Sequence, residues 1–148
     1  MKIQTRTVTT NWTEAPGGLT WYFIGQPKTG KTTAAANWSK KGTEGVLILD
    51  TDLGADFVDG ANVVTITSLN PPYTGEGDDR KLIPPKERGY YHRVGPEKGE
   101  PMEVYSLAEV FLWLKDDWES LPYETLVIDT VDTVNQWIEY AVCEELGI

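Results

Sequence analysis

Apolar residues in this chain occur in short, widely spaced runs, which is the pattern of strands separated by helices and loops. Four runs, at residues 19–24, 45–50, 61–67 and 125–129, are rich in β-branched and aromatic residues. Such runs are typical of strands that are buried on both faces of a parallel sheet. We therefore predict four strands.

Helices are predicted in three other segments. Residues 31–41 contain three consecutive alanines and end in two lysines followed by Gly42, which suits a helix C-terminus. Ser106 and Glu109 form a capping box at the head of an amphipathic segment, and we expect Asp132 to cap a last helix. The residues expected to face the core are Leu107, Phe111, Leu114 and Trp118 in the second helix and Val134, Trp137, Ile138, Ala141 and Val142 in the third.

Residues 25–32 read Gly-Gln-Pro-Lys-Thr-Gly-Lys-Thr and match the phosphate-binding loop G-x-x-x-x-G-K-[ST] at every fixed position. In such a loop the backbone N–H groups surround the phosphates, Lys31 reaches the terminal phosphates and the Thr32 hydroxyl coordinates Mg²⁺. A glycine turn that only joins a strand to a helix would need neither side chain. The predicted nucleotide-binding residues are Gly25, Gln26, Pro27, Lys28, Thr29, Gly30, Lys31, Thr32 and Thr33.

Aspartates follow two of the predicted strands. Asp129 ends the strand at 125–129, roughly a hundred residues after the loop, and has the form of a Walker B carboxylate that holds Mg²⁺ opposite Thr32. Asp50 ends the strand at 45–50 and Asp52 follows two positions later, and ligands of open parallel sheets bind at this carboxyl edge. Either of these two aspartates could polarise water. We favour a capping role over a catalytic one for Asp132.

Composition narrows the class of protein. The 148 residues, 40% of them hydrophobic, suit a single domain over residues 1–148. No segment approaches the roughly 20 apolar residues of a membrane span, and the first residues show no signal-peptide pattern, so we expect a cytoplasmic protein without a membrane partner. A single cysteine excludes an internal disulfide, and a single histidine supplies no metal site.

Residues 70–101 form an insertion loop with six prolines and five glycines. From residue 80 to residue 98 it has six basic and two acidic residues, a net charge of +4, which leaves −14 for the rest of a chain whose total is −10. Cations beside tyrosines are typical of proteins that bind single-stranded nucleic acid. The candidate contacts with DNA or a neighbouring protomer are Lys86, Arg88, Tyr90, Tyr91 and Arg93, and Arg88 or Arg93 could act as an arginine finger. The alternative to a DNA-contacting loop is a solvent-exposed insertion without a binding role.

The segments GQPKTGKT, LILDTDLGAD and TLVIDTVDTV resemble the RecA-like branch of P-loop ATPases, in particular the small phage ATP-binding proteins that include single-strand annealing and recombination ATPases. The resemblance covers residues 20–148. It implies an α/β three-layer sandwich with a mainly parallel central sheet, ATP and Mg²⁺ as cofactors, and ATP hydrolysis in phage DNA recombination, repair or annealing. Lys31, Asp52 and Asp129 would be catalytic, with Asp52 as the general base where the family more often has glutamate.

The same resemblance carries expectations about partners and about the extent of the fold. It implies a homo-oligomer that binds single-stranded DNA, a single-strand-binding protein as a possible partner, and the cytoplasm of a bacterial host. RecA-like sheets also place a further strand between the phosphate-loop strand and the Walker B strand, and it comes later in the sequence. Residues 3–9 or a neighbouring subunit could supply that strand. Otherwise we expect the 148 residues to be the amino-terminal part of a longer protein, with a domain that is incomplete at its C-terminus.

Two other function classes fit the same nucleotide core. A small-molecule or nucleotide kinase would use the basic loop as a lid over its substrate and would not need the further strand. A nucleotide-gated assembly module would bind ATP and scarcely hydrolyse it. The acidic Asp50-Thr51-Asp52 step favours water activation and therefore the hydrolase. No base-recognition motif distinguishes adenine from guanine.

Overall fold

Residues 20–148 are described by the computed structural model, and the chain divides into a unit that ends at Lys31 and a unit from Thr32 to Ile148. The helices and strands follow in one list. They are α1 (Lys31–Ala36), β1 (Val46–Asp50), β2 (Asn62–Ser68), β3 (Tyr73–Thr74), β4 (Lys81–Leu82), β5 (Tyr105–Ser106), α2 (Leu107–Asp117), β6 (Thr125–Asp129) and α3 (Val131–Leu146). Short 3₁₀ turns lie at Gly42–Gly45, Ala55–Phe57, Gly77–Asp79, Pro85–Glu87 and Trp118–Ser120.

A parallel sheet in the order β5-β2-β1-β6 organises the unit from Thr32 onward. Its central strand β1 is buried along its whole length. Leu47 and Leu49 pack into the core cluster that contains residues of α2 and α3, whereas Val46 and Ile48 pack on the other face with Ala36 of α1. Each fully buried valine, leucine or isoleucine side chain contributes about 2 kcal/mol to folding. The predicted three-layer α/β sandwich with a parallel central sheet is therefore confirmed.

Three of the four predicted strands are found. The prediction of the first strand, at residues 19–24, is wrong for residues 20–24, which are the part that the structure describes. Residues 20–24 form no strand, and the side chains from Trp21 to Ile24 are exposed, Ile24 to 95%. Leu19 lies outside the described residues. An apolar run favours burial, but it does not specify which strand it would pair with. The strand predicted there is not formed in the described chain.

The sheet has its Walker B-like strand β6 at one edge. Within residues 20–148, no strand is paired with β6 on the side away from β1. Leu126 on this strand is 39% exposed. The further strand that the resemblance implies is therefore not found in the described part of the chain, and residues 3–9 lie outside it.

Helix α1 is shorter than its composition predicts, because it ends at Ala36 and not near Lys41. The N–H groups of Asn37 and Trp38 donate to the carbonyls three residues earlier, which tightens the last turn. The Asn37 side chain also donates to the Thr33 carbonyl at 2.9 Å. Such bonds from a short polar side chain compete with continuation of the helix.

The capping box of α2 is confirmed. The Ser106 hydroxyl accepts the N–H of Glu109, and the Glu109 carboxylate accepts the N–H of Ser106. The buried positions of this helix are Leu107, Val110 and Leu114, whereas Phe111 is 45% exposed. The buried stripe is therefore rotated slightly from the predicted one, since the helix meets the sheet through the i, i+3, i+7 positions.

Helix α3 differs more from its prediction. Thr130, not Asp132, is the N-cap residue, and Asp132 lies exposed in the first turn. Of the five residues that we expect in its core face, only Val134 is buried, whereas Ile138 and Val142 are about half exposed. An apolar stripe predicts a face that can be buried, but only the packing around the helix decides how much of it is. No helix within residues 20–148 is long and apolar enough to cross a membrane.

The insertion loop at 70–101 is folded. It contains the antiparallel pair β3–β4 and a second hairpin, Tyr90–Met102. In that hairpin the His92 N–H donates to Glu100, the Gly99 N–H to His92 and the Met102 N–H to Tyr90, all at 2.8–3.0 Å. We call residues 90–102 the loop hairpin. Its backbone hydrogen bonds give the residues of both hairpin strands defined positions.

Arg88 connects the loop to the body of the domain. Its side chain is only 3% exposed and donates to the carbonyls of Ile83 and Val104 and, through two bonds of 2.7 Å, to Glu109. Hydrogen bonds from Arg88 are the main reason that the pKa of Glu109 falls to about 2. A bidentate guanidinium–carboxylate interaction of this kind is strong because both groups are charged and their two hydrogen bonds are aligned. Arg88 therefore anchors the loop to the start of α2.

Removal of this anchor tests its contribution to stability. We expect Arg88→Ala to lower the free energy of unfolding by about 3 kcal/mol, because it leaves the Glu109 carboxylate without its buried cation. Lys86→Ala is the matched control, since Lys86 forms an exposed pair with Glu103 at 3.8 Å and should cost less than about 1 kcal/mol. Urea unfolding measures both values. Equal values for the two variants would contradict an anchoring role for Arg88.

Candidate nucleotide-binding site

Residues 25–31 of the phosphate loop belong to the unit that ends at Lys31. Lys28 and Gly30 both have positive φ angles, 64° and 84°. A run of backbone that alternates in this way turns N–H groups toward a common centre, as an anion-binding nest requires. A side chain at position 30 would be strained by that φ, and a Cβ at Gly25 would lie 3.2 Å from the Thr29 hydroxyl. The backbone of the loop therefore favours glycine at position 30, and a side chain at position 25 would require the Thr29 hydroxyl to shift.

Lys31 is held over the same loop. Its ammonium donates to the carbonyls of Gly25 at 3.0 Å and Gln26 at 2.9 Å. These bonds are exposed, and carbonyl oxygens are neutral acceptors. An ammonium so held can exchange them for charged phosphate oxygens, to which it bonds more strongly. The residues of the loop thus fit a phosphate group.

Thr32 and Asp129 are brought together from positions 97 residues apart. The Thr32 hydroxyl, in the first turn of α1, donates to Asp129 Oδ2 at 2.5 Å, and Asp129 is the last residue of β6. A hydroxyl and a carboxylate are the protein ligands that suit Mg²⁺, which keeps several waters and needs few protein groups. Within residues 20–148 no cluster of three or more His, Cys, Asp or Glu residues could hold a metal ion. The pair is thus the metal candidate, and its role as a Mg²⁺ site stays a prediction.

The turn after β1, residues 51–56, is built around the buried carboxylate of Asp50. This side chain is fully buried and accepts the N–H groups of Asp52 and Gly54 at 3.2 Å and of Ala55 at 3.0 Å. We call residues 51–56 the β1 turn. Both oxygens of Asp50 are engaged inside it. Of the two aspartates that could polarise water, Asp50 is therefore the structural one.

Asp52 has the opposite environment. It is exposed, and its Oδ1 accepts the N–H of Gly54 at 3.0 Å. Because Asp50 pairs in register with Asp129, Asp52 follows β1 at the carboxyl edge of the sheet that also carries Asp129. Its solvent access suits a general base, and this role stays a prediction.

Sequence reasoning missed the part played by Thr51. Its N–H donates to the Asp129 carbonyl at 2.7 Å, and its hydroxyl accepts the N–H of Thr130 at 2.8 Å and lies 3.2 Å from the Thr130 carbonyl. It therefore ties the β1 turn to the end of β6. The Asp129–Thr130 peptide bond at that point is cis. The pairing of the two strands, which sets this contact, cannot be read from the residues around Thr51.

Burial raises the pKa of Asp50 to about 6, from its ordinary value of 3.8. The N–H groups of Ala55 and Asp52 oppose the rise, and the neighbouring Asp52 carboxylate adds to it. The cost of removing the carboxylate from water thus exceeds the gain from its hydrogen bonds.

The predicted contacts of the basic loop are dispersed. The structure contradicts a role for Arg88 as a DNA contact or an arginine finger, because its guanidinium is buried and bonded to Glu109 and two carbonyls. Arg93 is bonded to the β1 turn, through Asp56 and the Leu53 carbonyl. Lys86, Tyr90 and Tyr91 are exposed, and Tyr91 is 57% accessible. DNA contact by these exposed side chains stays a prediction.

Comparison with known proteins gave one finding. A family model described as AAA domain matches residues 18–148, a range that contains the phosphate loop, the β1 turn and Asp129. No curated protein and no solved structure matches the chain.

Asp50 should make stability depend on pH. The folded state holds its proton up to about pH 6 and the unfolded state only up to about pH 3.8, so this group stabilises the fold fully below pH 3.8 and the effect is lost as the pH rises through 6. At about 1.4 kcal/mol per pKa unit, the loss is roughly 3 kcal/mol. We expect the unfolding free energy of the unaltered chain, minus that of Asp50→Asn, to fall by this amount from about pH 3 to about pH 7. Urea unfolding at several pH values measures it, and a constant difference would contradict the assignment.

Proposed function

We propose that this chain, which belongs to the AAA-domain family of P-loop NTPases, is a Mg-ATP hydrolase that acts in phage DNA recombination, repair or single-strand annealing. One observation carries the nucleotide part of the proposal. The Thr32 hydroxyl and the Asp129 carboxylate meet at 2.5 Å, although they belong to a helix start and a strand end far apart in sequence. That contact supports a magnesium site, because a hydroxyl after the phosphate loop and a carboxylate at a strand end are the protein groups that hold Mg²⁺ in phosphoryl-transfer sites.

The side chains of the chain would act as follows. Lys31 would exchange the carbonyls of Gly25 and Gln26 for terminal phosphate oxygens. The N–H groups of the loop would bind the remaining phosphate charge, and Thr32 and Asp129 would hold the metal, directly or through its water ligands. Bound Mg-ATP supplies the phosphoryl group that water accepts and the metal charge that stabilises it.

Asp52 is the residue that we assign to proton removal. Its Oδ1 is oriented by the Gly54 N–H, and Oδ2 is the oxygen that we expect to accept the proton of the attacking water. Aspartate is one methylene shorter than the glutamate that is more common in the resembling ATPases. Its reach therefore depends on where the β1 turn holds its backbone.

Single-stranded DNA is the ligand that we propose for the exposed side chains of the loop. Tyr90 and Tyr91 offer rings for base stacking, and Lys86, whose side chain is 67% exposed, offers a cation for phosphate. The resemblance to recombination ATPases supports this ligand, as it supports a homo-oligomer and a single-strand-binding protein partner.

The metal site is tested by the dependence of ATP affinity on Mg²⁺. We expect Thr32→Val and Asp129→Asn to weaken ATP binding in the presence of Mg²⁺ by about 10- to 100-fold, which is typical for the loss of groups that orient a metal or its water ligands. Binding without Mg²⁺ should change little. Thr32→Ser is the matched control, because it keeps the hydroxyl and should bind nearly as the unaltered chain does. Titration with a fluorescent ATP analogue measures these affinities, and Mg²⁺-dependent binding that survives both changes would overturn the site.

Hydrolysis is tested by phosphate release with and without single-stranded DNA. We expect Lys31→Ala to abolish release, and Asp52→Asn to lower kcat by about 100-fold or more while ATP binding is kept, because general-base catalysis contributes at least that much. DNA should raise the rate of the unaltered chain. ATP binding without phosphate release would instead favour the kinase or the assembly module, and release that Asp52→Asn does not affect would remove Asp52 from the mechanism.

A further inference from the structure

Three sets of hydrogen bonds stabilise the β1 turn, and one of them comes from Arg93 of the loop hairpin. On the inside, the Asp50 carboxylate accepts three N–H groups of the turn. Beside it, Thr51 is bonded to the end of β6. On the outside, the Arg93 guanidinium donates to the Leu53 carbonyl and to Asp56 Oδ2, the latter at 3.2 and 3.3 Å.

The contact from Arg93 is made at the residue of the turn that has an unfavourable backbone conformation. Leu53 has a φ of 63°, a left-handed conformation that a branched side chain rarely adopts. Such a residue keeps its conformation only where its surroundings determine it. The Arg93 guanidinium binds the carbonyl of this residue and the side chain of Asp56 at the same time. It thus spans the second half of the turn, immediately after Asp52.

We propose that Arg93 is a positioning residue that holds Asp52 in place for hydrolysis and so couples the loop hairpin to the ATP site. This inference rests on the proposed role of Asp52. Arg93 itself touches no reacting atom in this arrangement. The loop hairpin carries the exposed rings of Tyr90 and Tyr91, and its Arg93 is hydrogen-bonded to the β1 turn. A ligand that moves the hairpin would therefore move the turn as well.

A different role for Arg93, in which its guanidinium contacts DNA or reaches a neighbouring protomer, would require it to leave Leu53 and Asp56. The structure shows those contacts made. Arg93 is 48% exposed and Asp56 17% exposed, so the pair is accessible to water, and its loss should affect the turn more than the stability of the whole domain. These roles therefore differ in what they predict for the β1 turn.

Amide hydrogen exchange of the nucleotide-free chain tests the hold without any reference to activity. We expect Arg93→Ala and Asp56→Asn to speed the exchange of the Asp52, Gly54 and Ala55 amides by about tenfold or more, because the turn opens locally more often. Lys98→Ala is the matched control, since Lys98 is an exposed cation of the same hairpin. Unchanged exchange in Arg93→Ala, or equal acceleration in Lys98→Ala, would overturn the proposal.

Steady-state kinetics then test the link to Asp52. We expect Arg93→Ala to lower kcat by about tenfold with the KM for ATP unchanged, Arg93→Lys to restore part of the rate, and Lys98→Ala to match the unaltered chain. Because Arg93 acts through Asp52, adding Arg93→Ala to Asp52→Asn should lower kcat no further. Multiplicative losses, or weaker DNA binding with unchanged turn exchange, would overturn the positioning role.

The two proposals can fail separately. If the unaltered chain binds ATP but releases no phosphate, the proposed hydrolase fails, and the exchange experiment still decides whether Arg93 holds the turn. If Asp52→Asn abolishes turnover and Arg93→Ala leaves both turnover and exchange unchanged, the hydrolase stands and the role of Arg93 is refuted.

Discussion

Parallel pairing of β1 with β6 is the constraint on which the candidate site depends. The register sets Asp50 opposite Asp129, so the two acidic strand ends are side by side at one edge of the sheet. Thr51 then reaches the end of β6, and Asp129 reaches the Thr32 hydroxyl. A slip of one residue would turn the Asp129 side chain to the other face of the sheet, away from α1. Register is thus a requirement of the chemistry as well as of packing.

The buried carboxylate of Asp50 shows how this edge is kept in shape. An isolated ionised carboxylate in the interior would be strongly unfavourable, and hydrogen bonds to charged groups each contribute about 1.5–3 kcal/mol. Three backbone N–H groups offset most of that cost, and the raised pKa records the part that they do not. In return, the path of the chain through Asp52 is defined. A residue whose type suggests catalysis therefore serves as the internal support of its neighbour.

Two arginines of the same loop illustrate how burial decides a role. Arg88 is enclosed and holds Glu109 at the start of α2, so it belongs to the stability of the domain. Arg93, five positions later, remains half exposed and holds Asp56 in the β1 turn. Their sequence surroundings are alike, since each arginine has tyrosine, glycine and charged residues within five positions. The difference lies in what each guanidinium meets after folding.

The amino-acid sequence by itself determined the local features. These are the phosphate-loop motif, the apolar strands that end in Asp50 and Asp129, the capping box at Ser106 and the α/β class, each of which depends on neighbouring residues and on backbone preferences. Tertiary structure decided which strands pair, how much of α3 is buried, that residues 20–24 form no strand, and which aspartate or arginine remains accessible. Contacts such as Thr32–Asp129 and Arg93–Asp56 join residues 97 and 37 positions apart. Their formation depends on how sheet, helix and loop pack, and residue type alone does not carry that information.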